Sequence, residues 1–164
     1  MKKVKKRLIK LSFFLLVLII TINNPISARI FCITVAKING VDSVTFYKLI
    51  KAESSFRTFA YSKKKAIGLG QIKKETSQFM HDKIPPVFLW NPIFNLYISS
   101  KYYKYLHSKF NDNLSLTLAA YNWGETNVLR LIKKNKINIK SSENYSFLFK
   151  DNPETYEFII NIMN

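Results

Sequence analysis

The sequence predicts an all-α domain of about six or seven helices, and three observations predict it. Glycine and proline number only 4 and 5 in 164 residues, too few for a turn-rich β fold. Apolar residues from Val44 onward recur at helical spacing. The pair Asn-Pro stands at 91–92 and again at 152–153, an asparagine cap followed by a proline at the first helical position, where its missing N–H costs nothing. A hydrophobic content of 48%, with 15% aromatic residues, supplies a core and excludes wholesale disorder. The length suits one domain once a targeting segment is set aside.

That segment comes first. MKKVKKRLIK is a basic head, and Leu11 to Ile22 is an apolar run of signal length, short of the ~20 residues a spanning helix needs. Asn23-Asn24-Pro25 breaks the run, and Ile26-Ser27-Ala28 offers a small residue for cleavage. The expectation is a secretory signal over residues 1–28, cut after Ala28. The alternative is an uncleaved anchor, because Ile26 is larger than the small residue preferred there. Bulky Phe31 argues against a lipid anchor at Cys32. Residues 29–40 form a lead-in, a short strand or irregular, and residues 41–164 the working domain, which acts outside the cytoplasm.

Charge bounds the partners. The chain has 26 basic and 10 acidic residues, a net of +16; without the six cations of the first ten residues, 20 basic residues remain against 10 acidic ones, a net of +10. This suits a membrane surface, a nucleic acid or another anionic polymer, or simply a solvated lysine-rich surface. No compact basic-aromatic motif argues for nucleic acid. A single cysteine excludes an intrachain disulfide and a cysteine metal site. Neither His81 nor His107 has a partner at metal-ligand spacing. The reading calls for no metal and no cofactor.

In the working domain, Asp42 or Ser43 caps a helix over Val44 to Ser54. Phe46, Leu49 and Glu53 fall at i, i+3 and i+7, with Ile50 beside them, so Glu53 lies on the apolar face. A carboxyl there is desolvated and its pKa raised, as a general acid near neutral pH requires. The alternative is a helix-terminal charge that swings to water or pairs with Arg57 or Lys51. Ser62 and Lys63-Lys64-Lys65 make a loop. Gly68-Leu69-Gly70-Gln71 is a small turn that can flank a polar ligand or serve as a helix corner. A short helix over Glu75–Met80 and a loop through Pro85-Pro86 follow. The helix from Asn91-Pro92 runs to about Phe110 on a stripe of Ile93, Leu96, Tyr97, Ser100, Tyr103 and Leu106. Leu114 to Tyr121 is apolar almost all round, a buried helix that delivers Tyr121 and Asn122 at its end. Thr126 caps a helix to about Lys134, residues 135–144 are a polar loop, and the last helix runs from Asn152-Pro153 to about Met163.

Taken in order, Glu53-Ser54-Ser55-Phe56, Ser62, Gly68-Leu69-Gly70-Gln71-Ile72, Ala119-Ala120-Tyr121-Asn122-Trp123-Gly124 and Pro153-Glu154-Thr155 resemble the soluble lytic transglycosylase (SLT) domain family, which shares its fold with goose-type lysozyme. The resemblance covers about Val41 to Met163. It implies a compact lysozyme-like α domain in the periplasm or cell envelope. The substrate it implies is peptidoglycan, cut between N-acetylmuramic acid and N-acetylglucosamine with formation of a 1,6-anhydro sugar. Glu53 is the single general acid and base it implies. Ser62, Gly68, Leu69, Gln71, Tyr121, Asn122 and Glu154 are the substrate-binding residues. Wall turnover, or local opening for an envelope-spanning secretion or flagellar apparatus, are uses it implies; a membrane enters only through an uncleaved N-terminal segment. The alternatives are a hydrolytic goose-type lysozyme and a catalytically dead glycan-binding or scaffolding module. Most glycosidases need two carboxylates, yet residues 54–74 hold none, which favours intramolecular attack. Two departures from the family stand out. Gly70 replaces a common methionine, which removes an apolar lid or lets the strand approach closely. Phe158 stands where a tyrosine near the catalytic carboxyl is usual, so desolvation should raise the pKa of Glu53 further, and Tyr156 would reach it only if the helix start shifted.

Overall fold

The computed structural model describes residues 2–141 and 143–164. Its helices are α1 (Lys2–Ile22), α2 (Pro25–Ile38), α3 (Ser43–Ser54), α4 (Lys74–Met80), α5 (Pro92–Lys109), α6 (Leu114–Trp123), α7 (Glu125–Asn135) and α8 (Pro153–Met163), with 3₁₀ turns at Pro86–Trp90 and Ser146–Phe149. Among the described residues there is no strand, only isolated bridges that pair Ile67 with Tyr61 and with Ile72. The all-α expectation holds. Helices α2 to α8, seven in number, form the body, and α1 leads into it.

Short polar side chains begin most of these helices. Asp42 accepts from the Thr45 N–H at 2.8 Å, Asn91 from Phe94 at 3.0 Å, Asn113 from Leu116 at 3.1 Å and Asn152 from Thr155 at 3.3 Å. Each cap satisfies an orphan donor and contributes about 1 kcal/mol. Helix α7 differs: it starts at Glu125 behind Gly124, with no side-chain cap from Thr126.

Helix α5 runs through the centre, packed by α2, α4 and α6; α3 lies against α2 and α8, and α6 against α7 and α8. Phe46, Leu49, Ile50, Leu96, Leu106, Leu116 and Ile159 are fully buried between them. Because α5 is covered on more than one side, its burial is wider than its predicted stripe. Asn95, Ile98 and Ser99, off that stripe, are fully buried, while Ile93 is exposed.

The largest difference from the sequence reading is α2. Residues 29–38, expected as a strand or irregular lead-in, are helical. Asn24-Pro25 is a third Asn-Pro helix start: the Asn24 side chain accepts from the N–H groups of Ile26 and Ser27 at 2.9 and 3.0 Å. Ala28, Cys32, Val35 and Ala36, at i, i+4, i+7 and i+8, are buried on the side of α2 that meets α3 and α5. Burial of that stripe outweighs the β preference of Ile30, Ile33, Thr34 and Val35. The expected cut after Ala28 falls inside this helix. Burial also pushes the Cys32 thiol up to about 12, so it carries no thiolate at neutral pH.

Candidate active site

Glu53 is placed by the last turn of α3. The stripe of Phe46, Leu49 and Ile50 is locked into the core, so the residue one turn on sits at the core's edge, partly exposed. The backbone then turns sharply through two left-handed residues, Ser55 (φ 52°) and Phe56 (φ 62°). Such non-glycine conformations cost about 1–3 kcal/mol each; here the turn returns the Phe56 ring to the core, where it is 1% exposed. A groove passes Glu53 in two arms. One is walled by Asn23, Pro25, Arg57, Phe59 and Tyr61. The wider one is walled by Lys64, Tyr102, Asn122, Trp123, Glu154 and Phe158. Glu53, Ser62 and Gln71 border both.

The Glu53 carboxyl is pushed up to about 8, first by desolvation and then by the negative charge of Glu154, with Lys64 opposing. It also lies near the negative end of the α3 dipole, which disfavours a second negative charge. At neutral pH it is therefore largely protonated. Among the described residues Glu53 forms no ion pair with Arg57, Lys51 or any other cation. Arg57 instead donates its Nε–H to the Ser54 carbonyl at 3.0 Å.

The turn over residues 67–71 is organised by a residue that the sequence reading did not single out. Asn95 is fully buried in α5. Its Oδ1 accepts from the Gly70 N–H at 2.8 Å, and its Nδ2 donates to the carbonyls of Ile67 at 2.8 Å and Leu89 at 2.9 Å. Gly68 (φ +75°) and Leu69 face this interior rather than the groove. A Cβ at Gly68 would lie 2.9 Å from the Leu89 carbonyl oxygen, and Leu69 is fully buried. These two expected substrate contacts are thus supports of the turn. Gln71 does border the groove; its Nε2 donates to Gly68 at 2.9 Å and Ala60 at 3.3 Å, which ties the turn to the preceding loop. Ser62 closes that loop, its Oγ accepting from the Ala66 N–H at 3.0 Å.

Gly70 corrects a second expectation. A side chain there would not cover the groove; its Cβ would point inward, 2.7 Å from the Ser99 Cβ and 3.0 Å from the Tyr121 hydroxyl. Ser99 fills the space that a Cβ at Gly70 would take, so this glycine is set by core packing.

Across the groove, α6 and α8 supply the other lip. Tyr121 donates its hydroxyl to the Gly70 carbonyl at 2.9 Å, clamping the turn from below; burial, and then the negative charge of Glu53, raise its own pKa. Asn122 faces the groove with its Oδ1 taken by the Thr155 hydroxyl at 2.8 Å, so its orientation is fixed by α8. Glu154 is exposed on the rim and pairs with Lys64 of the lysine trio at 3.3 Å, a bridge across the groove. Phe158 lines the groove, whereas Tyr156 is not among its lining residues. Among the described residues no hydrogen bond reaches the Glu53 carboxyl, in line with the expectation drawn from Phe158. Asn95 and Ser99 are uncharged residues inside a helix, and only their long-range partners identify them; Thr155 lies in the Pro153–Thr155 motif, but its bond to Asn122 shows only in the fold. Trp123, inside the Ala119–Gly124 motif, also lines the groove, as does Tyr102, which carries no positional signal in the sequence. His107 meets Asp112 at 2.9 Å, and His81 packs edge-on against Phe94 and Tyr97; both lie away from the groove.

Residues 31–144 match the family model described as transglycosylase SLT domain. The membrane-bound lytic murein transglycosylase C of Shigella sonnei (strain Ss046) is 29% identical over 112 residues, 60% of this chain and 31% of that protein. Among solved structures, the lytic transglycosylase Slt of Pseudomonas aeruginosa superposes with a TM-score of 0.73 at 26% identity, over 85% of this chain and 23% of that one. The 70 kDa soluble lytic transglycosylase Slt70 of Escherichia coli superposes with a TM-score of 0.63 at 21% identity, over 75% of this chain and 21% of that one, a likeness of fold. The chain spans less than a third of the length of each of these relatives.

Proposed function

This chain belongs to the transglycosylase SLT domain family, and from that premise we propose that it is a peptidoglycan lytic transglycosylase of the cell envelope, with Glu53 as its one proton-transfer residue. The observation that carries the reading is the state of Glu53: a carboxyl beside a long groove, held protonated near neutral pH by desolvation. Protonated Glu53 gives its proton to the glycosidic oxygen as the bond from the muramyl anomeric carbon breaks. Its carboxylate, now facing an oxocarbenium-like centre, takes the proton of the muramyl 6-hydroxyl as that oxygen bonds to the same carbon. The product is a 1,6-anhydro sugar, no water is consumed, and Glu53 ends protonated as it began. Asn122, its carbonyl oxygen held by Thr155, keeps its amide N–H groups for substrate acceptors. Tyr121, Gln71 and Ser62 hold the walls in register. Of the relatives, the Pseudomonas enzyme was solved as an inactive mutant in which glutamine replaces a glutamate, which is consistent with one essential glutamate in a domain of this fold.

The hydrolytic alternative needs a second carboxylate to activate a water; Glu157 lines the same groove, and so does Glu154. Its exposed pairing with Lys64 leaves it on the rim, and the raised pKa of Glu53 fits a residue that works as the acid. A dead module would rest on Phe158 and Gly70. The deciding experiment is mass spectrometry of muropeptides released from purified sacculi. The expected products end in 1,6-anhydromuramic acid and vanish in Glu53→Gln; reducing ends would make the enzyme a lysozyme, and glycan binding without release a dead module.

A further inference from the structure

The joint between α1 and α2 belongs to the folded domain. Asn24 caps α2, Ala28 is fully buried in it, and the buried Thr58 donates its hydroxyl to the Asn23 carbonyl at 3.4 Å. Asn23 and Pro25 wall the narrower arm of the groove beside Glu53. A cut after Ala28 would remove the cap, the first turn and part of that wall.

The outer face of α2 is also unusual. Ile26, Ile30 and Ile33, at i, i+4 and i+7, share one face, opposite to the core stripe, and are 70%, 59% and 39% exposed. Helix α1 continues this apolar surface: Leu11, Phe13, Phe14, Leu16, Ile19 and Ile20 are each more than half exposed. Among the described residues no single helix is long and apolar enough to cross a membrane, but Val4–Thr21 of α1 and Pro25–Ile38 meet that test as a pair bent by 66°. A bent pair suits a helix that enters a bilayer and a second that lies along its surface. Six cations in the first ten residues of the chain complement anionic headgroups.

We propose that residues 1–28 stay on the mature enzyme, that α1 and the isoleucine face of α2 seat the domain on an anionic lipid bilayer, and that the Asn23–Pro25 joint is the membrane-side wall of the groove. The wall's role in holding glycan rests on the transglycosylase reading; the seating does not. The cleavage signal agrees: Ile26 fills a position where signal cleavage favours a small residue, and here it points outward into the apolar face.

Retention and seating are tested without any glycan assay. The full chain, carrying a C-terminal tag, is expressed in a bacterium with a Sec pathway and recovered from membrane and soluble fractions for intact mass. The expected result is the uncut mass in the membrane fraction, resistant to high salt and released by detergent. A mature chain beginning at Arg29 in the soluble fraction overturns the proposal. Purified full chain is then mixed with vesicles of phosphatidylglycerol and phosphatidylethanolamine, and with vesicles of phosphatidylcholine. The expected result is stronger binding to the anionic vesicles, weakened several-fold by Ile30→Ser with Ile33→Ser at unchanged Tm. Equal binding by that variant removes α2 from the seat, and equal binding to both vesicle types removes the charge argument.

Discussion

At the scale of single residues the proposed chemistry concentrates on Glu53, and its raised pKa makes two predictions with opposite signs. As the general acid, Glu53→Gln should lower kcat by about 10²- to 10⁴-fold, and wild-type kcat/KM should fall as pH rises through about 8, where the free enzyme loses the proton. Lys64→Met should move that limb up and Glu154→Gln should move it down, because Lys64 favours and Glu154 disfavours the charged carboxylate. Stability runs the other way. The folded pKa lies above the ordinary value of 4.5, so the folded state binds the extra proton between these two values. Folding is undisturbed at about pH 4 and loses stability as pH rises toward 8. Gln cannot ionise, so Glu53→Gln should match wild type near pH 4 and exceed its Tm by a few degrees above pH 8. A Tm difference that does not change with pH would show that Glu53 is solvated and would sink the acid assignment. Placement of this carboxyl on the apolar face was legible because α3 has a clear stripe of Phe46, Leu49 and Ile50. Its partners were not, since Glu154 and Lys64 are 90 residues apart in the chain.

At the scale of elements, the turn over residues 67–71 depends on α5. Asn95→Ala would leave the Gly70 N–H and the Leu89 carbonyl unpaired in the interior and take one of two bonds from the Ile67 carbonyl, which keeps the Ile72 N–H, a loss of roughly 2 kcal/mol or more. Because Gln71 borders the groove from this turn, KM should rise as well; thermal unfolding and kinetics measured together check both. The Gly70 site offers a sharper test. Gly70→Met introduces the family's residue and should destabilise by about 1–3 kcal/mol through overpacking against Ser99. Combining it with Ser99→Gly should recover at least ~1 kcal/mol of that loss in a double-mutant cycle; additive effects would mean the two sites do not compete for space. These two residues also show what a sequence hides. A departure on a turn and a serine inside a helix give no sign of each other in the sequence, and the complementarity appears only when the fold brings them together. Helix α2 shows the converse, a signal present but outcompeted. Asn24-Pro25 is the same start as Asn91-Pro92 and Asn152-Pro153, and Ala28, Cys32, Val35 and Ala36 keep helical spacing. Isoleucines on the opposite face erase the amphipathic contrast, and the neighbouring apolar run draws Asn24-Pro25 into a cleavage-site reading.

At the scale of the whole molecule the dominant feature is charge. The net of +16 falls only to +10 when the N-terminal head is set aside, and Lys63, Lys64 and Lys73 line the groove mouth. Only Lys64 of these three has an acidic partner among the described residues. A neutral sugar gains nothing from such a lip, whereas a wall polymer bearing carboxylates is drawn toward it from beyond contact distance. The Debye length shrinks to about 8 Å at physiological salt and further above it, so this attraction acts on encounter far more than on the bound state. On sacculi, raising NaCl from about 20 mM to about 300 mM should therefore lower kcat/KM by roughly ten-fold while kcat at saturation changes little. Binding of a soluble, uncharged chitooligosaccharide should not respond to the same salt change, since it reports the groove without the polymer's charge. If kcat falls with salt as strongly as kcat/KM, the lysines act in the bound complex, with Lys64 and its contact to Glu154 the first place to look. If neither changes, the cations are a solvated surface and the enzyme finds its substrate by other means.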